Sequence, residues 1–588
     1  MTIDYFIKYT SFCDKNPLSF ENNYMFSYRK AYVFITLIFA FFNGFTIHSI
    51  QSNPKNGSQK NLTIQTQSKS KAPTSVLFYP EKDLKELFEK VQMSSIFSDS
   101  KTFVDAIPLL PPQQILALYR KKQNQPHFNL KTFITDHFRL PTHDDQTPTP
   151  SKQAKNIKKT SMLEHLKSHW NTLVRSPHKS DHNQKSSLIE LPKSYVVPGG
   201  RFREIYYWDS YFTLLGLIHS DRDDLVKDMI DNFAHIIDQV GHIPNGNRSY
   251  FLSRSQPPFF GEMIRLIQKK DERQALTYLS QLETEYRFWM RGKANLNAHT
   301  KAFERVVQIS PKYVLNRYYD QLTSPRPESY REDRELAHAL QSANHSQLYR
   351  DIRAACESGW DFSSRWFADG KTLKTIVTTQ IIPVDLNVLL YRLELLLAQL
   401  HQAQGNQIKS KYYQTAAQQR KIAINQLLWD EKAGFYRDFN FIKSAFTPVL
   451  SLAGVFPLWS QIATQKQSRR VVEVLQKKFL FDGGLVTTPY ATGQQWDYPN
   501  GWAPLHWIAV QGLHHYKHNT LAYTIAQRWL QLNQKVFAKE HKMMEKYNVV
   551  DLKLKAGGGE YPTQDGFGWT NGVAIALYQL LPILGVKH

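Results

Sequence analysis

The chain has 588 residues, 42% hydrophobic and 13% aromatic, enough to bury a large core. Its net charge of +22 speaks for solubility and nonspecific contacts; no CxxC pair, recognition-helix signature or RNP-type sequence turns that charge into base reading, so no nucleic-acid partner is expected. With two cysteines, Cys13 and Cys356, neither a disulfide framework nor a cysteine-based zinc site is available, and Cys356 reads as a small buried apolar residue.

In chain order, Tyr28–Lys30 (YRK) precede AYVFITLIFAFF, an apolar run broken at Asn43 and Gly44. A positive flank before a short apolar run is the layout of an export signal, and Met25 offers a more ordinary start than Met1. Residues 1–47 are therefore expected to be a signal peptide, or alternatively an anchor facing the periplasm. Residues 48–74 are rich in Gln, Ser, Asn and Lys and read as a flexible linker. From residue 75 to 588 one domain is expected. It starts with a surface helix in EKDLKELFEKVQ, where Leu84, Leu87, Phe88 and Val91 share one face. A second polar stretch, Thr142–Thr160, carries Lys152, Lys155, Lys158 and Lys159 and reads as a solvated loop.

Beyond Leu163 the pattern is helix after helix, with few strand candidates such as GLVTTPY, so the fold class is all-α. Tyr211, Leu214, Leu215 and Ile218 mark one apolar face, and Leu386 through Leu400 a leucine-rich one. Val573, Leu577, Leu580 and Leu581 mark the last. Between the helices, six segments join carboxylates or guanidinium groups to aromatic rings, Gly and Pro: 198–209, 243–260, 324–329, 357–366, 493–504, and 545–548 with 557–572. A pyranose presents an apolar face to a ring and a rim of hydroxyls to charged donors and acceptors, so a sugar accounts for the mixture. Asp209, Asp361, Asp497, Glu545, Glu560 and Asp565 are candidates for a glycosidase acid–base pair, and spacing alone does not rank them. Taken singly, each has a plainer reading. Asp209 is a helix N-cap, Arg326 and Glu328 are a surface pair, and Trp208, Trp360, Trp496 and Trp502 are core.

PGGRFREIYYWDSY (198–211) and QWDYPNGWAP (495–504) resemble the two signature segments of the trehalase family of glycoside hydrolases. The likeness runs on through GHIPNGNRSYFLSRSQPPFF, NRYYDQLTSPRPESYRED, SGWDFSSRW and GGGEYPTQDGFGWTNG. It implies an (α/α)6 barrel that hydrolyses α,α-trehalose to two glucoses with inversion. It further implies a periplasmic monomer with no metal or organic cofactor and no membrane insertion of the mature domain. By matching segments, Asp361 is implied as general acid and Glu545 as general base. Arg201, Trp208, Asp209, Asn245, Arg254, Ser255, Gln256, Arg326, Glu328, Gly359 and Glu560 are implied to line the sugar sites. Inversion leaves room for a water, so the two carboxyls are expected about 6.5–9.5 Å apart, with the Asp361 carboxyl raised by burial. Two positions depart from the family pattern: Asn548 stands where relatives carry Asp, and LKAGGGEYP is poorer in Gly. Another (α/α)6 α-glucosidase and a catalytically inactive sugar binder are the alternatives.

Overall fold

The computed structural model describes residues 77–141, 161–177, 185–340, 345–557, 560 and 562–585. The expected signal, the linker 48–74 and the lysine-bearing stretch Thr142–Thr160 lie outside these residues. The helices that build the frame are α1 (Met162–Leu173), α2 (Tyr207–Ile218), α3 (Asp223–Val240), α4 (Phe260–Gln268), α5 (Leu279–Trp289), α6 (His345–Glu357) and α7 (Val384–Ala403). They continue with α8 (Gln407–Leu427), α9 (Phe456–Trp459), α10 (Gln465–Val474), α11 (Ala503–His515), α12 (Asn519–Glu540) and α13 (Gly568–Leu584).

Contacts among these helices close a ring. α2 packs on α4, α4 on α7, α7 on α9, α9 on α11, α11 on α13, and α13 returns to α2. Ring helices such as α2 and α7 are buried on nearly every face, as expected for helices apolar all round. α1, α3, α5, α8 and α12 pack outside the ring, and α10 follows α9 in the same alternation. Short connections such as 219–222, 404–406 and 516–518 return each outer helix against its inner neighbour. This alternation of inner and outer helices is the expected (α/α)6 barrel. Among the described residues the strands are at most five residues long and no sheet closes on itself.

Within the ring, α2 and α13 approach backbone to backbone. A Cβ on Gly216 would lie 2.5 Å from Gly572 Cα and 2.8 Å from the Trp170 ring, so both positions require glycine. The N-terminal helices of residues 77–141 form a second apolar cluster around Leu84, Leu87, Phe88, Val91 and Phe103. These include the four residues whose spacing predicts a helix, here divided into Pro80–Asp83 and Lys85–Met93.

A buried polar network ties that cluster to the barrel. Lys101 Nζ donates to Asp105 at 2.5 Å and to Glu204 at 3.2 Å. Arg248 Nε donates to Glu204 at 2.8 Å, and the Tyr206 hydroxyl donates to the same carboxylate at 3.1 Å. Burial works against the charge on Glu204, but Lys101 and Arg248 outweigh it and bring its pKa down to about 2. Since this lies below the ordinary value of about 4.3, the stabilising contribution is complete above about pH 4.3 and is lost as pH falls towards 2. E204Q is therefore expected to cost about 3–5 kcal/mol at pH 7, because two cations lose their shared carboxylate. Denaturant unfolding of both proteins at pH 7 and pH 3 should show the gap narrowing at the lower pH.

Candidate active site

The segments singled out by composition lie ahead of the ring helices or run into their first turns: 198–209 at α2, 243–260 at α4, 324–329 and 357–366 before α7, 493–504 at α11, and 545–548 with the described residues of 557–572 at α13. They meet around one cavity of about 890 Å³, its open mouth included. Every residue implied for the site lines it except Ser255. Ser255 lies beside it: its hydroxyl donates to the Ile243 carbonyl at 2.6 Å and its N–H to Glu357 Oε1 at 2.9 Å, which ties the loop down.

Of the six candidate carboxylates, Asp209, Asp361, Glu545 and Glu560 reach the cavity. Asp497 does not. It is fully buried and accepts Ser363 Oγ at 2.8 Å, the Ser364 N–H at 2.9 Å and Thr488 Oγ1 at 2.9 Å, joining two loops. Asp565 is bound to Lys542 at a half-exposed position. Asp209 is the third residue of α2, within its first turn, and the N-cap is Tyr206 rather than Asp209. Burial pushes its carboxyl well above the ordinary range, and the nearby charges of Glu545 and Asp361 add to the effect.

Asp361 follows α6 through Ser358, Gly359 and Trp360. Its backbone carbonyl accepts Gln495 Nε2 at 2.5 Å, and the Trp496 N–H donates to the next carbonyl, of Phe362, at 3.1 Å. Burial raises the Asp361 carboxyl to about 7, against the pull of Arg326 and Arg254 and with a push from Glu560. Glu545 precedes the strand Lys546–Asn548, which pairs antiparallel with Asn500–Trp502. Its N–H donates to Gln564 O at 2.9 Å, its carbonyl accepts Trp569 Nε1 at 3.0 Å, and its Oε2 accepts Lys546 Nζ at 3.1 Å.

The arginines are buried rather than at the surface. Arg254 Nη2 donates to Glu328 at 2.5 Å. Arg326 bonds Asp333 at 2.6 Å and Glu560 at 2.9 Å, and donates to the Cys356 sulfur at 3.3 Å. Arg326 and Glu328 are thus paired with other partners instead of with each other. Burial opposes the charge on Glu328, yet Arg254, Arg326 and Arg353 hold its carboxyl below the ordinary range. Cys356 is buried as expected, and it also reaches the cavity wall.

Indole rings form the remaining wall. Trp496 and Trp502 stack at 3.8 Å, Trp360 lies behind Trp496 at 5.3 Å, and Trp569 stands edge-on to Trp208 at 5.7 Å. Trp208, Trp496, Trp502 and Trp569 are both core and cavity lining, so the plain reading of the first three accounts for half of what they do. Sequence reasoning missed Asp99, Ser100 and Lys101, which reach the cavity from the N-terminal helices. Only the charged break SDSK between two helical runs marks them in the sequence.

The sequence model of the family described as Trehalase matches residues 95–582. The chain belongs to the trehalase family. Periplasmic trehalases of Xanthomonas oryzae pv. oryzae (strain MAFF 311018) and Xanthomonas axonopodis pv. citri (strain 306) are each 46% identical to it. The matches cover 86% and 87% of this chain and 88% and 87% of those proteins. Among solved structures, neutral trehalase Nth1 from Saccharomyces cerevisiae is 26% identical with a TM-score of 0.54, over 73% of this chain and 83% of that one. Against the family pattern, Asn548 keeps a structural role, its Oδ1 accepting the N–H groups of Val550 at 3.1 Å and Asp551 at 2.9 Å. That turn needs only a carbonyl oxygen, which Asn supplies as well as Asp.

Gly359 has φ +72°, and a Cβ there would lie 2.8 Å from the Trp208 ring. G359A is expected to cost about 1–3 kcal/mol from backbone conformation alone and to displace the indole from the wall. Thermal unfolding together with near-ultraviolet circular dichroism checks both effects.

Proposed function

We propose that this chain hydrolyses α,α-trehalose to two glucose molecules with inversion at the attacked carbon, Asp361 acting as general acid and Glu545 as general base. The observation that carries the reading is one cavity holding two carboxyls in different surroundings. Asp361 is raised to about 7 by burial, and Glu545 lies against the Lys546 ammonium. A buried carboxyl that holds its proton suits the acid, and one hydrogen-bonded to an ammonium is placed to act on water.

In the reaction, Glu545 takes a proton from water as the water oxygen bonds to the anomeric carbon. The glycosidic bond breaks, and its electron pair takes the proton of Asp361. The attacked sugar leaves as β-glucose and the other as α-glucose. A gap of about 6.5–9.5 Å between the carboxyls would admit that water.

Binding groups stand ready for the hydroxyls. Arg254 Nε and Nη1 and Glu328 Oε2 are buried without a hydrogen-bond partner among the described residues. Such groups reward a ligand that completes them and penalise one that does not. Trp208, Trp496, Trp502 and Trp569 offer apolar faces to the rings. Arg201, Asp209, Asn245, Gln256, Arg326 and Glu560 complete the sugar contacts, and Gly359 leaves room for the Trp208 indole. The relatives are named periplasmic trehalases, and no helix among the described residues is long and apolar enough to cross a membrane. We read the chain as exported to the periplasm.

Incubation with trehalose should release glucose, with α and β anomers formed in equal amounts at first. Absence of release would overturn the proposal, and initial formation of the α anomer alone would overturn inversion. D361N and E545Q should each lower kcat by at least about 10²–10⁴-fold with unchanged unfolding midpoints.

Asp361 must be protonated to act, so kcat/KM should fall as pH rises through about 7. Burial sets that limb first, with Arg326 and Arg254 pulling it to lower pH and Glu560 pushing it higher. E560Q removes a charge that raises the Asp361 carboxyl, so the limb should move to lower pH.

A further inference from the structure

Behind the cavity wall a buried polar strut joins the two carboxyl-bearing segments. Lys546 Nζ donates to Glu545 Oε2 at 3.1 Å and to Gln495 Oε1 at 2.8 Å. Gln495 Nε2 in turn donates to the backbone carbonyl of Asp361 at 2.5 Å. Neither Lys546 nor Gln495 lines the cavity, and each is only 1% exposed.

Both ends of the strut are held firmly. Lys546 faces Trp502 across the two-strand ladder, with its ammonium 5.2 Å from the Trp502 ring. The Gln495 backbone carbonyl accepts Trp502 Nε1 and Asn500 Nδ2, both at 3.1 Å.

Burying an ammonium is costly, and a buried ion pair is often no more stabilising than apolar residues of the same shape. Stability alone therefore does not account for a lysine here. What the charge does achieve is geometric. It restrains one oxygen of Glu545, and through Gln495 it refers that carboxylate to the backbone that carries Asp361.

We propose that Lys546 is a positioning residue for the base Glu545, and that Gln495 couples it to Asp361 so that the protein itself holds the spacing of acid and base. This rests on the roles assigned above to Asp361 and Glu545. Neither residue needs to touch sugar, so the strut should act on turnover rather than on substrate capture.

The test compares K546M, Q495L, E545Q and the double variant E545Q/K546M in steady-state trehalose hydrolysis, alongside their unfolding midpoints. K546M should lower kcat on the order of 10²-fold, with KM within about twofold of the parent. Q495L, which keeps both charges, should lower kcat on the order of tenfold, again with KM nearly constant. In the E545Q background, K546M should change kcat by less than about threefold, because the group it positions is already disabled.

A rise in KM at constant kcat would overturn the proposal. So would an equal loss of kcat with and without Glu545, which would mark a purely structural role. If K546M does not fold, Q495L decides the matter by the same split of kcat against KM. Near-parental activity of E545Q would instead overturn the base assignment, a failure separate from that of the strut.

Discussion

At the crossing of α2 and α13, Gly216 and Gly572 let two buried helices touch backbone to backbone where any side chain would intrude. That contact closes the ring, and the site depends on the ring being closed. The charged groups that the inner helices do carry are held largely in pairs, as Glu262 with Arg392 and Glu394 with Arg420. Most side chains that line the cavity come from the segments that lead into the helices. The six segments meet around one cavity lined by indole rings, arginines and carboxylates.

Within that cavity most charges are neutralised at short range. Arg254 meets Glu328, and Arg326 is shared between Asp333 and Glu560. Further from the cavity the same rule holds for Arg305 with Glu357 and for Arg365 with Asp385 and Asp438. Asp209 and Asp361 stand apart. Both line the cavity, burial dominates their environment, and both are raised. A carboxyl whose burial outweighs the pull of any nearby cation, in a region otherwise dense with ion pairs, is a destabilising choice, and such choices concentrate where chemistry is carried out. The two are also distinguished from each other. Asp361 retains the opposing pull of Arg326, which keeps it near 7, whereas the charges that act on Asp209 are those of other carboxylates.

Helical periodicity made the all-α class legible, the aromatic-charged segments marked where the cavity wall lies, and the family resemblance implied the barrel and the individual wall residues. The limits of that reading have physical causes. Ser255 lies between Arg254 and Gln256, both of which reach the cavity, and an extended loop turns alternate residues in different directions, which leaves its hydroxyl to the Ile243 carbonyl. Asp497 has the same aromatic setting as Asp361, but hydroxyl groups from Ser363, Ser364 and Thr488 converge on it, and the two serines are distant in sequence. Asp99 to Lys101 were not legible because their role depends on the Lys101–Glu204–Arg248 network, which joins three parts of the chain. For the tryptophans, core and site are not alternatives, since a wall one ring thick serves as both.

The segments that carry Asp361 and Glu545 are both held by the stretch 495–502, through one backbone ladder and several side-chain bonds to backbone carbonyls. The ladder Asn500–Trp502 with Lys546–Asn548 sets Lys546 opposite Trp502, and the Trp502 indole holds the carbonyl of Gln495. Gln495 reaches the backbone of Asp361, while the Trp496 N–H fixes the carbonyl of Phe362 beside it. The stretch 495–502 thus contacts both the segment that carries Asp361 and the segment that carries Glu545. Replacement of the family's Asp by Asn548 disturbs none of this, since the turn it supports lies at the far end of the ladder and uses only its amide oxygen. Two loops that carry carboxyls into one cavity gain a fixed relation when a third segment bonds to both, and 495–502 bonds to the Asp361 backbone and pairs with the strand that follows Glu545.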